Sequence, residues 1–267
     1  MTRPAVLTIA GSDSGGGAGI QADLKTFAAF GVHGASALAA ITAQNSRAVT
    51  AVLTLPAGIV EAQIDAVMSD LQPRVVKIGM LGSAALVRLV AMKLEEWKPQ
   101  QVVLDPVMIA SSGARLLEED AIEAMRETLL PLSTVVTPNW PEAGALIGAE
   151  PRGLEDRRRI ALSLQRAGVR NLLLKGGHLP GDVVVDTLFE GDEATEFTHP
   201  RIAGAVGHGT GCALASAVAS GLALGRTLQS ACRDAVEFVY HALERRYATG
   251  SSRPLYLDLV PELAART

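Results

Sequence analysis

Short apolar segments alternate with longer segments of helical period along most of this chain. Apolar runs predict strands at Val6–Ala10, Ala35–Ala43, Ala51–Leu55, Val75–Ile78, Gln101–Leu104, Thr134–Thr137 and Asn171–Leu174. Helical periodicity predicts helices at Ile20–Phe30, Ala57–Leu71, Ala84–Trp97, Glu118–Leu130, Pro141–Ile147 and Leu154–Ala167. This alternation predicts an α/β fold in which helices cover both faces of a mostly parallel central sheet.

The last third of the chain follows a different pattern. Two strands, Asp182–Glu190 and Glu193–Thr198, flank a Gly-Asp turn and predict a small antiparallel hairpin. Two helices are predicted after it, at Cys212–Leu224 and Thr227–Tyr247. No stretch has the composition of a linker, and 267 residues with 48% hydrophobic content suffice for one large core. We therefore expect a single domain over residues 1–267.

Composition excludes several classes of protein. The net charge of −4 gives no basic surface for nucleic acid, and the run Arg157-Arg158-Arg159 is more typical of a solvated helix face. Two cysteines, Cys212 and Cys232, form no disulfide framework, which suits a reducing cytoplasm. The apolar N-terminal stretch is too short for a signal peptide, and no apolar segment has the roughly 20 residues that span a membrane.

A glycine-rich turn, Gly207-His208-Gly209-Thr210-Gly211-Cys212, runs directly into a predicted helix. A helix N-terminus directs unpaired N–H groups and partial positive charge at one point, and glycine lets a ligand approach the backbone. This pattern predicts an anion site. The helix N-terminus is also expected to lower the pKa of the Cys212 thiol. The alternative for Cys212 is a small buried side chain, which is the interpretation we favour for Cys232. The role of His208 stays open between a contact and a turn residue.

A second glycine cluster, residues 11–19, lies between the first predicted strand and the first predicted helix. It lacks the Gly-Lys-Ser/Thr of a Walker loop, and its spacing does not match the dinucleotide-binding fingerprint. Five glycines in nine residues favour close approach of a small ligand over a plain flexible turn. Asp23 follows on the next helix, within reach of such a ligand.

Polar residues follow several of the predicted strands. In parallel sheets, ligands bind outside the carboxyl ends of the strands, so these residues are expected to line one cleft. Asp105 suits Mg²⁺ or a hydroxyl but also a turn. Asn139 and Glu142 suit a metal–nucleotide site but equally a helix-capping box. Lys175, followed by two glycines, suits a phosphate but also a solvated turn. Cleft residues are expected in Gly11-Ser12-Asp13, Gln44-Asn45, Gly79-Met80, Asp105, Asn139 and Lys175.

Seven segments together resemble the hydroxymethylpyrimidine/phosphomethylpyrimidine kinases of thiamine biosynthesis, which belong to the ribokinase-like superfamily. The resemblance spans about residues 6 to 225. The segments are Thr8–Lys25, Ala43–Ser46, Lys77–Leu81, Asp105–Met108, Thr137–Glu142, Lys175–His178 and His208–Cys212. Each segment alone is a weak signal, whereas their combination and order are specific.

The resemblance implies a three-layer α/β/α fold, a homodimer, ATP with Mg²⁺, and two successive phosphorylations of 4-amino-5-hydroxymethyl-2-methylpyrimidine. It implies a substrate end of the site formed by Gln44, Gly11, Ala18, Met80 and Asp23. It implies that Lys175, Asn139 and His208 bind the ATP phosphates and that Asp105 and Glu142 serve Mg²⁺, mostly through water. Cys212 occupies the place of the aspartate base of the sugar kinases.

For such a site we predict in-line phosphoryl transfer. The N–H groups of Gly209, Thr210, Gly211 and Cys212 would bind the moving phosphoryl group, and Cys212 would accept the hydroxyl proton. The base role has less support than the anion role, because an alcohol is a far weaker acid than a thiol. Two alternatives are a pyridoxal kinase, for which an aspartate at position 212 would be more typical, and a non-catalytic pyrimidine-binding protein.

Overall fold

A computed structural model describes residues 3–108, 117, 119–204 and 207–258. The strands are β1 (Ala5–Ala10), β2 (His33–Leu38), β3 (Ala40–Gln44), β4 (Val49–Thr54), β5 (Val75–Ile78), β6 (Gln101–Leu104), β7 (Val135–Val136), β8 (Asn171–Leu174), β9 (Val183–Glu190) and β10 (Glu193–Pro200). The α-helices are α1 (Gly19–Ala29), α2 (Ala57–Asp70), α3 (Ala84–Trp97), α4 (Glu119–Ala124), α5 (Leu130–Leu132), α6 (Trp140–Ile147), α7 (Arg157–Arg166), α8 (Thr210–Ala223) and α9 (Leu228–Glu244).

Eight strands form the central sheet, in the order β10-β9-β8-β7-β6-β5-β1-β2. The six strands from β8 to β2 run parallel to their neighbours, and β9 and β10 extend the sheet antiparallel. The predicted mostly parallel sheet and its C-terminal hairpin are therefore confirmed. The parallel strands end at one edge, so the residues that follow them are brought together.

Alternate residues of the parallel strands pack into two separate hydrophobic cores. In β6, Val102 and Leu104 belong to the core beneath α2, α3 and α4, whereas Val103 belongs to the core beneath α1, α8 and α9. All three side chains are at most 4% exposed. Because successive side chains of a strand point to opposite faces, a strand with apolar residues at every position needs helices on both sides. The fold is accordingly a three-layer α/β/α structure.

A separate two-stranded sheet was not predicted. The expected single strand Ala35–Ala43 is instead two strands, β2 in the central sheet and β3 outside it, with Ala39 between them. β3 pairs antiparallel with β4, which had been expected one to two residues later, at Ala51–Leu55. Apolar residues continue without interruption across this junction, so the sequence pattern did not show the chain leaving the sheet.

The remaining elements match their predicted positions closely, with two differences. The helix expected over Leu154–Ala167 begins at Arg157, after a 3₁₀ turn at Leu154–Asp156. The helix expected over Glu118–Leu130 is α-helical to Ala124 and continues as a π-helical turn at Met125–Leu129; Glu118 lies outside the described residues. Within the described part of the chain, no helix combines the length and apolar character needed to cross a membrane.

Candidate active site

A cavity of about 770 Å³ lies at the carboxyl edge of the parallel strands. Each of the strands β1, β5, β6, β7 and β8 contributes residues that follow its last position. The first turn of α8 and the β3 strand close other sides. Of the predicted site residues, those that line the cavity are Gly11, Ala18, Gln44, Met80, Asp105, Asn139, Glu142, Lys175, His208, Gly209, Thr210, Gly211 and Cys212.

The first turn of α8 forms one wall of the cavity. Gly209 precedes the helix with φ +82°, and a β-carbon there would lie 1.8 Å from the carbonyl oxygen of Gly17. Only glycine fits this approach. A β-carbon on Gly211 would lie 3.1 Å from Lys175 Nζ, so the helix terminus and the lysine adjoin the same space. The unpaired N–H groups of a helix terminus together with a nearby ammonium make a strong anion site.

Asp13, which the sequence places at the cleft without predicting a role for it, joins the two glycine-rich turns. Its carboxylate accepts hydrogen bonds from the backbone N–H groups of Gly15, Gly17 and Ala18 at 2.8–3.0 Å. His208 Nε2 lies 3.0 Å from Asp13 Oδ2. Burial alone would raise the pKa of Asp13, but the hydrogen bonds from His208 and the backbone hold it below its usual value. His208 therefore links the two turns, in addition to lining the cavity.

The glycine-loop end of the cavity is fixed by backbone hydrogen bonds to neighbouring strands. Gly11 donates its N–H to the carbonyl of Met80 at 3.0 Å, and a β-carbon on Gly11 would lie 2.6 Å from Met80 Cε. Thr42 Oγ1 on β3 donates to the carbonyl of Ser12 at 2.8 Å, and it lies 3.3 Å from Gln44 Oε1. The predicted association of Gly11, Gln44 and Met80 with one pocket is thus present in the structure.

The opposite end of the cavity holds a cluster of charged side chains. Lys175 Nζ lies 2.8 Å from Asp105 Oδ1 and 3.6 Å from Glu142 Oε2. Asn139 and Glu142 also form a capping box at the start of α6, in which each side chain accepts the other's backbone N–H at 2.8–2.9 Å. The two interpretations of this pair are therefore compatible, because the cap holds both residues at the cavity.

Burial shifts the protonation of this cluster. Burial raises the pKa of Glu142 to about 7, because desolvation and the Asp105 carboxylate together exceed the opposing effect of Lys175. Burial alone would lower the pKa of Lys175, but the Asp105 and Glu142 carboxylates raise it above its usual value. Lys175 is therefore a fixed cation at neutral pH, while Glu142 changes charge in the physiological range.

The carboxylates at this end suit a hard cation. Asp105 Oδ2 is buried and has no hydrogen-bond partner among the described residues. Buried carboxylate oxygens without a partner are rare, and oxygen ligands are those that Mg²⁺ prefers. No group of three or more metal-binding side chains exists in the described part of the chain. The site fits a magnesium ion that takes most of its ligands from phosphate and water.

Asp23 lies elsewhere than predicted. It has no exposed surface and does not line the cavity. Its carboxylate accepts hydrogen bonds from Thr8 Oγ1 at 2.6 Å, Lys77 Nζ at 2.9 Å and Ser216 Oγ at 2.8 Å. The prediction of a substrate contact for Asp23 is corrected, because these donors occupy both of its carboxylate oxygens.

Lys77 also has a role in the site that was not predicted from the sequence. It lies in the buried strand Val75-Val76-Lys77-Ile78, and it lines the cavity. Burial alone would lower its pKa, but the carboxylate of Asp23 raises it, so the pair is charged. A lysine within an otherwise apolar strand indicates a buried partner of opposite charge, and that partner is Asp23 on α1.

The expected low pKa of the Cys212 thiol is wrong. Burial raises the pKa of Cys212 to about 12, and the carboxylates of Asp105 and Asp23 act in the same direction, against Lys77. Lys77 and a backbone hydrogen bond from Gly19 act against this rise without cancelling it. Cys212 is therefore a protonated thiol at neutral pH. Its backbone N–H keeps its place in the first turn of α8.

Comparison with known proteins places this geometry in a family. The model of the phosphomethylpyrimidine kinase family matches residues 13–255. The hydroxymethylpyrimidine/phosphomethylpyrimidine kinase of Bacillus subtilis is 45% identical over 246 residues, which cover 92% of this chain and 91% of that protein. The thiamine biosynthesis bifunctional protein ThiED of Geobacter sulfurreducens is 48% identical over 241 residues, which cover 90% of this chain and 49% of that protein.

A solved structure also shares the fold. The pyridoxal kinase of Staphylococcus aureus, in complex with AMP-PCP and pyridoxal, superposes with a TM-score of 0.89. It is 33% identical in sequence, and the match covers 97% of this chain and 95% of that one. The likeness therefore extends over nearly the whole of both chains.

Replacing Lys77 alone is expected to destabilise the protein strongly. Lys77→Met leaves the Asp23 carboxylate buried and uncompensated, which typically costs about 3–5 kcal/mol. Asp23→Asn together with Lys77→Met should recover part of this loss. Guanidinium unfolding measures both, and Lys98→Met, an exposed lysine, should change stability by less than about 0.5 kcal/mol. A Lys77→Met variant as stable as the Lys98→Met control would contradict a buried charged pair.

The thiol of Cys212 is expected to react slowly with alkylating reagents. In a Cys232→Ala background, iodoacetamide at pH 7 should modify Cys212 more than about a hundredfold more slowly than a free cysteine, because little thiolate is present. The rate should keep rising up to pH 10 and above. Mass spectrometry after timed quenching gives the rate. A plateau near pH 7 would show that the helix terminus has stabilised a thiolate after all.

Proposed function

The chain belongs to the phosphomethylpyrimidine kinase family, and from that membership we propose its reaction. It is an ATP-dependent kinase of thiamine biosynthesis that phosphorylates 4-amino-5-hydroxymethyl-2-methylpyrimidine and then the resulting monophosphate. We further propose that residues 1–267 form one ribokinase-like kinase domain.

The observation that carries the proposal is the position of the α8 N-terminus within one cavity. On one side Gly211 adjoins Lys175 and Asp105. On the other side Gly209 adjoins the carbonyl of Gly17 in the glycine loop. All of these groups except Gly17 line the same cavity. A phosphoryl group passing from a nucleotide at the first side to a hydroxymethyl group at the second must cross this helix terminus. In-line transfer depends on such positioning and on charge neutralisation.

Each group has a defined part in this mechanism. The amide of Gln44 hydrogen-bonds the edge of the aminopyrimidine, and the small residues Gly11 and Ala18 leave room for the ring. Lys175 binds the nucleotide phosphates as a fixed cation. The N–H groups of Gly209, Gly211 and Cys212 stabilise the charge that develops on the transferred phosphoryl group. The N–H of Thr210 donates instead to the carbonyl of Gly207 at 3.2 Å. His208 keeps the glycine loop against this turn through Asp13.

Magnesium, when bound with the nucleotide, would neutralise phosphate charge, and Asp105 and Glu142 would hold it, largely through water. The Asp105 oxygen that has no hydrogen-bond partner among the described residues supports this assignment. Asn139 supports it through its capping box, which fixes the Glu142 carboxyl at the cavity.

Cys212 is not a preformed base in this mechanism. Its thiol carries its proton at neutral pH, so the hydroxymethyl group is not ionised beforehand. The hydroxyl proton therefore leaves late, as the oxygen bonds to phosphorus and becomes more acidic. It passes to an oxygen of the transferred phosphoryl group, while the bond from phosphorus to ADP breaks. The contribution of Cys212 that the geometry supports is its backbone N–H in the anion site.

A second substrate, pyridoxal, is favoured by the similarity to the Staphylococcus aureus pyridoxal kinase. Pyridoxal is also a flat heteroaromatic ring that bears a hydroxymethyl group, so the same geometry would present it to the α8 N-terminus. We propose pyridoxal phosphorylation as a side activity.

The homodimer and the cytoplasmic location also belong to this proposal. On one face of the β3–β4 sheet, Ile41 and Leu53 lie opposite each other and are 46% and 63% exposed, and a dimer would cover them. Both cysteines are free thiols, as expected in a reducing cytoplasm.

A coupled ADP-release assay tests the reaction. With ATP and Mg²⁺, the hydroxymethylpyrimidine and its monophosphate should both release ADP, with a smaller rate for pyridoxal. Lys175→Met should lower turnover by roughly 10²–10³, because a cation at the transferring phosphate is lost. Circular dichroism checks that this variant is folded. Protein that binds the pyrimidine in calorimetry but releases no ADP would establish a binding protein instead.

Activity is expected to fall as Glu142 takes up a proton. Below its pKa of about 7 the carboxyl is neutral and attracts a cation less, so kcat/KM for ATP with Mg²⁺ should decrease toward acid with one proton. Glu142→Gln keeps the capping box and should remove this step while lowering activity at pH 8. The exposed Glu150→Gln serves as the control. An acid limb that persists in Glu142→Gln would assign it to another group.

A further inference from the structure

The segment 176–182, between β8 and β9, has little packing of its own. Gly177, His178, Pro180 and Gly181 are exposed, and only Leu179 is half-buried among apolar neighbours. Three of its seven residues are glycines, which lose the most conformational freedom on folding. An exposed, glycine-rich loop with few apolar contacts is held by its hydrogen bonds or not at all.

One residue from outside the loop supplies most of those hydrogen bonds. Arg201, the first residue after β10, donates Nε to the carbonyl of Gly181 at 2.6 Å and Nη1 to that of Gly177 at 2.9 Å. Its Nη2 donates to the carbonyl of Leu179. The backbone N–H of Arg201 adds a fourth bond, to the carbonyl of Asp182 at 2.7 Å. One guanidinium thus contacts the loop at its start, middle and end.

The loop lies next to the charged end of the cavity. It begins directly after Lys175, and Gly177, His178 and Arg201 all line the cavity. The start of the loop is fixed separately, because Gly176 donates its N–H to the buried Asp186 at 2.7 Å. The part that depends on Arg201 is therefore residues 177–182.

The cavity wall near this loop is largely apolar. Its lining includes Val184, Ile202, Val239 and Leu243, which suit a flat nucleotide base more than phosphates. With phosphates at Lys175, the base of a bound nucleotide would extend along this wall, beside the 176–182 loop.

We propose that Arg201 is a positioning residue for the nucleotide: it holds the 176–182 loop in the conformation that forms one side of the nucleotide site. The inference rests on the proposed kinase function. Arg201 acts through three backbone carbonyls and not on the reacting atoms. Its removal therefore lowers the affinity for nucleotide and leaves the chemical step and the pyrimidine end unchanged.

A lysine cannot replace this arginine. The guanidinium is planar and directs separate N–H groups at separate acceptors, whereas an ammonium is a single point on a flexible stem. Arg201→Lys keeps the charge and most of the apolar stem but cannot reach three carbonyls spaced along the loop. It therefore separates the geometry of the fork from its charge.

The test measures steady-state kinetics, ADP binding by calorimetry, and amide hydrogen exchange of residues 177–182 in Arg201→Ala and Arg201→Lys. Both variants should raise KM for ATP and Kd for ADP by about tenfold, with kcat and KM for the pyrimidine changed less than about threefold. Exchange in the loop should accelerate in both. Arg157→Ala is the matched control, because Arg157 pairs with Glu196 at 2.6 Å on β10 but does not line the cavity.

The outcomes separate the two proposals. Wild-type protein without ADP release would overturn the kinase function, whatever the variants do. An active enzyme whose Arg201→Lys variant keeps the wild-type KM for ATP and loop exchange would overturn the positioning role. A fall in kcat or in folded protein with KM for ATP unchanged would likewise overturn it, because that is the result of a merely structural arginine. Should Arg201→Ala fail to fold, Arg201→Lys decides alone.

Discussion

The buried pair of Lys77 and Asp23 connects the elements that build the active site. Lys77 comes from β5, Asp23 from α1, and their hydrogen-bonding partners Thr8 and Ser216 from β1 and α8. Ser216 is one helical turn from Cys212 on α8. Its hydrogen bond to Asp23 therefore fixes the axial position and the rotation of the helix whose first turn forms the proposed anion site. A charged pair without exposure tolerates little displacement, because any gap leaves a charge unsolvated.

The site combines groups whose charge is constant near neutral pH with a group whose charge changes there. Lys175 is held as a cation by two carboxylates, and the N–H groups of α8 add a partial charge that does not titrate. Glu142 changes charge near neutral pH. Its capping box with Asn139 makes the start of α6 and the charged end of the cavity one structural unit. The same hydrogen bonds therefore stabilise a helix and orient the carboxyl group of Glu142 at the cavity.

Much of this arrangement was predictable from the sequence. Gly11, Met80, Asp105, Asn139 and Lys175 follow strands of a parallel sheet, and the edge rule alone places them in one cleft. The roles of Asp13 and Lys77 were not predicted. Asp13 was one polar residue among many in a glycine-rich loop, and its partner His208 is distant in sequence. Lys77 lay within an apolar strand, where the signal is the misfit of the charge itself.

The sequence by itself determined the layers and the chemical types of the residues at the carboxyl edge of the sheet, because these follow from local periodicity and glycine content. The order of the strands in the sheet came from the tertiary structure. Tertiary structure alone decided how much water each group keeps. Burial gave Cys212 a high pKa where its helix position suggested a low one, and it made Asp23 a partner of Lys77 and not of the substrate. The tertiary structure also placed β3 outside the central sheet. Solvation and pairing depend on residues far apart in the chain, which no local pattern contains.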